Sequence, residues 1–187
     1  MIFWVIWIAL FLALITPPLD DYLDSVMSLH MLIQIPLLVV LGYVLKGKVK
    51  WNVESYNPYG LSGLILLIGT LLFWMIPHSI DMAVLLDRVD FIMHLNLVIA
   101  GFAFGQSHIL MPFPLKAALA IYSLSMLITM GITYSNYESL LCATYSLEQQ
   151  KELGFYILLL SPVGFVGLII WGGYSLNRGM AADSREK

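Results

Sequence analysis

The chain has 187 residues, 60% of them hydrophobic and 11% charged, with a mean hydropathy of +0.86 and a formal net charge of −3. A soluble domain of this length cannot bury that much apolar surface, so the composition excludes an ordinary water-soluble globule and points to a multi-span helical membrane protein. A single cysteine, Cys142, excludes an intramolecular disulfide framework and any CxxC redox or zinc motif.

Apolar runs of roughly bilayer-spanning length predict six helices, over about 2–17, 25–45, 59–77, 89–108, 115–135 and 153–175. The first, "MIFWVIWIALFLALIT", has no basic leader region and no small-residue cleavage site, and reads as a retained span. It is short and stops at Pro17-Pro18, because proline cannot continue the hydrogen-bond ladder. No segment alternates as a strand would and no loop is long. The expected fold is all-α: one integral membrane domain over residues 1–187, a polytopic helical bundle, since only helices and closed barrels satisfy their backbone in lipid.

Charge orients the bundle. With the N-terminus inside, the inner segments hold Lys46, Lys48, Lys50, Lys116, Arg178, Arg185 and Lys187, and the outer ones only Arg88 and Lys151. The positive-inside rule then predicts N-in and C-in. Asp20, Asp21, Asp24, Asp81, Asp87, Asp90, Glu138, Glu148 and Glu152 all fall outside.

This orientation gives the histidines a pattern. At 1.5 Å rise per residue, His30 and His94 each lie about 7 Å below the outer surface, and His78 lies at the outer end of the third span. His108 falls at the opposite end of its helix, where a structural role is expected. A lone intramembrane histidine serves equally well as an interhelical hydrogen-bonding residue. Three at one depth point to a site, because ionisable groups inside a membrane are costly.

The neighbours suggest a metal. Gln34 follows His30 by four residues and shares its helix face. Asp90 precedes His94 by four and Asp81 follows His78 by three, each placed to accept the second ring N–H of a ligating imidazole. Met27, Met31, Met75, Met82 and Met93 belong to the same layer, and imidazole with thioether suits copper, especially Cu(I). The competing cofactor is heme b, with His30 and His94 as axial ligands on facing helices. No nucleophile with a base, no phosphate loop and no paired carboxylates inside a span are visible, so the chain is read as non-enzymatic. Cys142, in the outer loop "ESLLCATYSLEQQ", reads as a small buried residue.

Three stretches together resemble the CtaG family of cytochrome c oxidase assembly proteins. "FWMIPHSIDMAVLLDRVDFIMHLNLVIAGFAFGQS" is similar to that family's central region, with a histidine-bearing span end and a histidine entering the next span. "SLHMLIQIPLLVVLG" resembles its H-M-x-Q-H span, and "YSLEQQKELGFYILLLSPVGFVGLI" its D-Q-Q-x-x-G approach to a last span with a proline-glycine break. The likeness covers about residues 25–175, with His30, Met31, His78, Asp81, His94, Gln149 and Gln150 at matching positions. Gln34 stands where the family has its second histidine, Ile33 where it has glutamine, and His94 where it has a histidine pair. The chain is also one span shorter than the usual seven.

The resemblance implies an assembly factor of the bacterial cytoplasmic (inner) membrane that handles copper for a heme-copper respiratory oxidase. His30, His78 and His94 are then the expected metal ligands, supported by Met31, Gln34, Asp81, Asp90, Gln149 and Gln150. The alternatives are a b-type cytochrome or electron-transfer anchor, and a non-catalytic accessory subunit of a larger membrane complex. The expected partners are membrane lipid and a respiratory oxidase or other membrane complex, with no nucleic acid.

Overall fold

The computed structural model describes residues 1–49 and 57–186, with side chains as far as Ser175. Lys50 and Lys187, which contribute to the charge pattern, lie outside the described residues, as do the side chains of Arg178 and Arg185. Every regular element among the described residues is helical.

Helix α1 (Ile2–Ile15) has 14 residues, a rise of about 21 Å, which is less than the roughly 30 Å of a hydrocarbon core. A short acidic helix, α2 (Leu19–Asp24), follows the two prolines. Helix α3 (Met27–Gly47) spans the expected second segment, but its second turn is widened. Residues His30–Gln34 form a π turn, closed by a bond from Ile35 N–H to the His30 carbonyl. Pro36 explains the widening: it has no N–H for the Leu32 carbonyl, and its ring crowds that oxygen in a regular α-turn.

Helix α4 (Leu61–Trp74) starts beyond Gly60, whose φ of +69° is the left-handed conformation that favours glycine. It stops where the sequence requires. Ile76, ahead of Pro77, is extended (φ −67°, ψ 126°), as the residue before proline prefers. Helix α5 (Pro77–Leu85) then leaves at 75° to α4. The expected span 59–77 is thus continued by a second arm, which forms either a broken span or a re-entrant loop. Helices α6 (Asp87–His108), α7 (Phe113–Asn136) and α8 (Leu147–Glu186) complete the chain. Helix α8 runs without interruption through Pro162 and Gly164, where the sequence resemblance suggests a break.

Among the described residues four helices, α3, α6, α7 and α8, are long and apolar enough to cross a membrane, and five crossings result if the bent α4–α5 pair counts as one, where the sequence predicts six. Several long apolar helices make this a multi-pass membrane protein.

The helices form two compact units. In the first, residues 1–111 with 138–150, α6 is central and both α3 and α4 pack on it. The α3–α6 crossing is backbone against backbone: a Cβ on Gly42 would overlap the Val98 carbonyl, and one on Gly101 the Val39 carbonyl. Such close approach is how small residues hold membrane helices together. Where α4 meets α6, Trp74 Nε1 donates to Asn96 Oδ1 at 3.1 Å, and Ser107 Oγ accepts from Asn57 Nδ2 and from Gly63 N–H. Helix α1 is tied to α3 by Trp7 Nε1, which donates to the Leu41 carbonyl at 2.8 Å.

The second unit, residues 112–137 with 151–187, is an antiparallel pair. Gly131 faces Ile157 and Leu158, Gly154 faces Ser135, and the rings of Phe113 and Trp171 lie 5.5 Å apart.

Candidate metal centre

The site lies in the first unit, at the end of α3 and α6 opposite Lys46. Its foundation is the loop leading into α8. Ser146 caps that helix, its hydroxyl oxygen accepting from Gln149 N–H at 3.2 Å. Gln150 is buried, accepting from Leu141 N–H at 2.9 Å and donating to the Ser139 carbonyl. Gln149 donates to the Ser25 carbonyl at the end of α2. Asp81 accepts from the backbone N–H groups of Ala143 and Thr144 at 2.9 and 3.0 Å, and from the Thr144 hydroxyl at 2.7 Å. Asp81, Gln149 and Gln150 therefore fold one loop against α2 and α5. Cys142 is buried beneath that loop, and burial, with a contribution from Asp81, pushes its thiol up to about 11.

The loop places Tyr145 on the wall of a cavity of about 590 Å³. Five aspartates line the same cavity: Asp20, Asp21 and Asp24 from α2, with Asp87 and Asp90 from the first turn of α6. Among the described residues no lysine or arginine lines it. Tyr145 is 3% exposed and its hydroxyl has no partner.

Behind this cavity lies a buried polar network, and a single glutamine sets its protons. Nε2 of Gln34 lies 2.7 Å from Asp20 Oδ1 and 2.9 Å from His94 Nε2, with the Leu14 carbonyl at 3.3 Å. A carboxylate only accepts, so this atom is the amide NH₂, and His94 Nε2 receives its second proton as a lone pair. The His94 proton is then on Nδ1, which lies 3.0 Å from Asp90 Oδ2, with the N–H off the line to that oxygen. On the other side, Gln34 Oε1 accepts from His30 Nδ1 at 2.9 Å, and Asp24 Oδ1 lies 2.7 Å from the same nitrogen. That leaves His30 Nε2 buried without a partner, and Asp90 Oδ1 likewise.

Three of these groups qualify as metal ligands. One donor atom each from Asp20, Asp90 and His94 lies within 4.8 Å of the others, and all three residues are buried. His94 Nε2 and Asp20 Oδ1 are 3.6 Å apart. Two donors on a tetrahedral ion with bonds of about 2.0–2.1 Å stand about 3.4 Å apart, so the pair needs little adjustment. Asp90 sits beside the other ring nitrogen, the position of the carboxylate that orients a metal-bound imidazole. Burial, and next to it the charge of Asp90, raises the Asp20 carboxyl to about 6 from its ordinary 3.8.

The structure thus joins His30, Gln34, Asp90 and His94, and leaves His78 apart from them. His78 is exposed on α5, turned aside by the bend at Pro77. Its neighbour Asp81 holds the loop backbone rather than completing a three-histidine pocket. Met31 is buried on the π turn. Gln149 and Gln150 serve the loop. Asp20, Asp24 and Tyr145 were not among the expected ligands or their supports. The signal for the first two is in "PPLDDYLDS", an acidic turn at the same level as His30. His108, at the other end of α6, meets Tyr43, whose hydroxyl is 3.3 Å from its Nδ1.

No family model, no curated protein and no solved structure matches the chain. The likeness to CtaG proteins rests on the quoted motifs alone.

Proposed function

We propose that this chain is a metal-handling protein of a bacterial cytoplasmic membrane, binding a divalent transition metal ion at Asp20 and His94, with Asp90 behind the His94 ring. The observation that carries the reading is the convergence of those three buried donor groups beside a cavity lined by carboxylates. An imidazole with two carboxylates suits zinc, divalent copper or ferrous iron better than Cu(I), which prefers thiolate and thioether. The His94 ring is fully buried with Nε2 accepting from the Gln34 amide, and an imidazole ligates a metal through such a lone pair in its neutral form. Asp20 and Asp24 stand near the outer surface if the orientation is N-in and C-in, which the lysines at the opposite end favour. Metal arriving from outside then meets the acidic cavity first, because clefts of one sign concentrate counter-ions.

Within this reading, the CtaG-like motifs make delivery of copper to a heme-copper oxidase the role of choice. A site with few protein ligands and an open approach suits an ion that is to be passed on. Heme b between His30 and His94 has less support, because the Gln34 carboxamide bridges the two rings.

The test is metal content of the detergent-purified chain, with zinc and copper titrated separately. One ion per chain is expected, lost in His94→Ala and Asp20→Asn and retained in His78→Ala. Equal metal content in all four proteins would overturn the assignment.

A further inference from the structure

We infer that Gln34 is a placeholder for the metal: its amide nitrogen holds the site closed and must swing away before an ion can bind. The inference rests on the metal-binding reading of Asp20 and His94, with Asp90 behind the His94 ring.

The geometry is specific. Gln34 Nε2 is hydrogen-bonded to both of the atoms best placed to ligate, Asp20 Oδ1 at 2.7 Å and His94 Nε2 at 2.9 Å. Those two acceptors are themselves 3.6 Å apart. A nitrogen within hydrogen-bonding distance of both stands between them, where a cation shared by the same two lone pairs would sit. An N–H donor and a metal ion compete for one lone pair and cannot share it. His94 Nε2 has one lone pair, so metal binding there exchanges the hydrogen bond from Gln34 for a metal–ligand bond, and the carboxamide has to move.

The arrangement also prepares the site. By donating to Nε2, Gln34 keeps the His94 proton on the far nitrogen, beside Asp90, so the ring needs no tautomer change when the ion arrives. It holds Asp20 and His94 together, a pair that would otherwise be buried acceptors facing each other without a proton. Its oxygen accepts from His30, so displacement of the amide reaches His30 as well, which keeps Asp24 as its second acceptor at 2.7 Å. The π turn supplies the setting: His30 and Gln34 are its first and last residues. Such widened turns recur at functional sites because they re-aim side chains within an otherwise regular helix.

Placeholder and support make opposite predictions. A supporting glutamine weakens binding when removed, whereas a placeholder strengthens it, because Asp20 and His94 are then left unsatisfied and an ion no longer has to displace an amide. In the full-length chain in detergent, zinc should bind Gln34→Met and Gln34→Ala about tenfold or more tighter than wild type. The stoichiometry should stay at one, and His94→Ala in either background should remove the ion. Equal or weaker binding in both variants, with His94→Ala still abolishing it in the wild type, overturns the placeholder and leaves the metal site standing. Zinc binding unaffected by His94→Ala instead overturns the metal reading itself.

A measurement on the wild type covers the case in which neither variant folds. With ¹⁵N-labelled glutamine and histidine, zinc should shift the Gln34 side-chain NH₂ resonances and the His94 Nε2 resonance together, with the His30 ring following. Gln34 amide signals that stay in place while His94 Nε2 shifts would overturn the inference.

Discussion

Asp90 Oδ2 lies 3.0 Å from Nδ1 of His94, one helical turn further along α6. Its role differs from that of Asp20, which faces the other ring nitrogen. A carboxylate behind a ligating imidazole orients the ring and raises its basicity, and its loss commonly lowers metal affinity about 10–100-fold. Asp90→Asn should therefore weaken zinc binding within that range, whereas His94→Ala should abolish it. Calorimetric titration of the two variants separates the outcomes. Equal losses would mean that Asp90 is itself a direct ligand.

The Asp20 carboxyl, raised to about 6 mainly by burial, makes binding sensitive to acid. Protons and metal compete for the same oxygen, so zinc affinity should fall as pH drops through about 6 and level off above it. The metal-free fold behaves in the opposite sense. A carboxyl that holds its proton more tightly folded than unfolded contributes stability that is fully present below about 4 and lost as pH rises through about 6. Without metal, thermal stability should thus decline between pH 4 and 6, and Asp20→Asn should flatten the decline. Unfolding curves across that range, with and without zinc, test both signs.

Cys142 is buried, with its thiol pushed up to about 11, so little thiolate forms at neutral pH. Iodoacetamide should leave it unmodified in the folded chain at pH 8 and label it rapidly in denaturant. Labelling of the native protein should keep rising with pH well beyond 9. Asp81→Ala removes the acceptor for two backbone N–H groups and the Thr144 hydroxyl. That variant should release the loop and speed labelling at any fixed pH, as peptide mass spectrometry would record.

The glycines of the α3–α6 crossing should tolerate no side chain. A methyl group on Gly101 meets the Val39 backbone rather than the yielding end of a side chain. Gly101→Ala should cost about 1–3 kcal/mol or more, the range of overpacked cores. Gly69, on α4, has open space around its Cβ position. Gly69→Ala should be neutral or slightly stabilising, since alanine is the better helix former. Detergent-solubilised melting temperatures of the pair make the comparison.

Length, hydropathy and proline positions in the sequence determined that the chain is helical, belongs in a membrane, and breaks its helices at Pro17-Pro18 and ahead of Pro77, whereas Pro162 interrupts nothing. Each expected span from the second to the last has a helix over most of its length, because apolar run length alone selects backbone hydrogen bonding within one segment. Counting residues along the spans assigned His30, His78 and His94 to one layer, since the rise per residue is constant, and spacing set Gln34 beside His30 and Asp90 beside His94. Which of them meet was decided only by the tertiary structure. Direction around a helix turns by about 100° per residue, and the π turn at His30–Gln34 shifts it again in a way that no count of spacings reveals. His78 shares the expected depth of the other histidines, yet the 75° bend beyond Trp74 carries it on another arm. Asp20 comes from a short helix with no apolar period of its own, and only the packing of α2 brings it to within 3.6 Å of His94. Spacing along one helix thus picked out candidate partners, and the meeting of α2, α3 and α6 decided which of them converge.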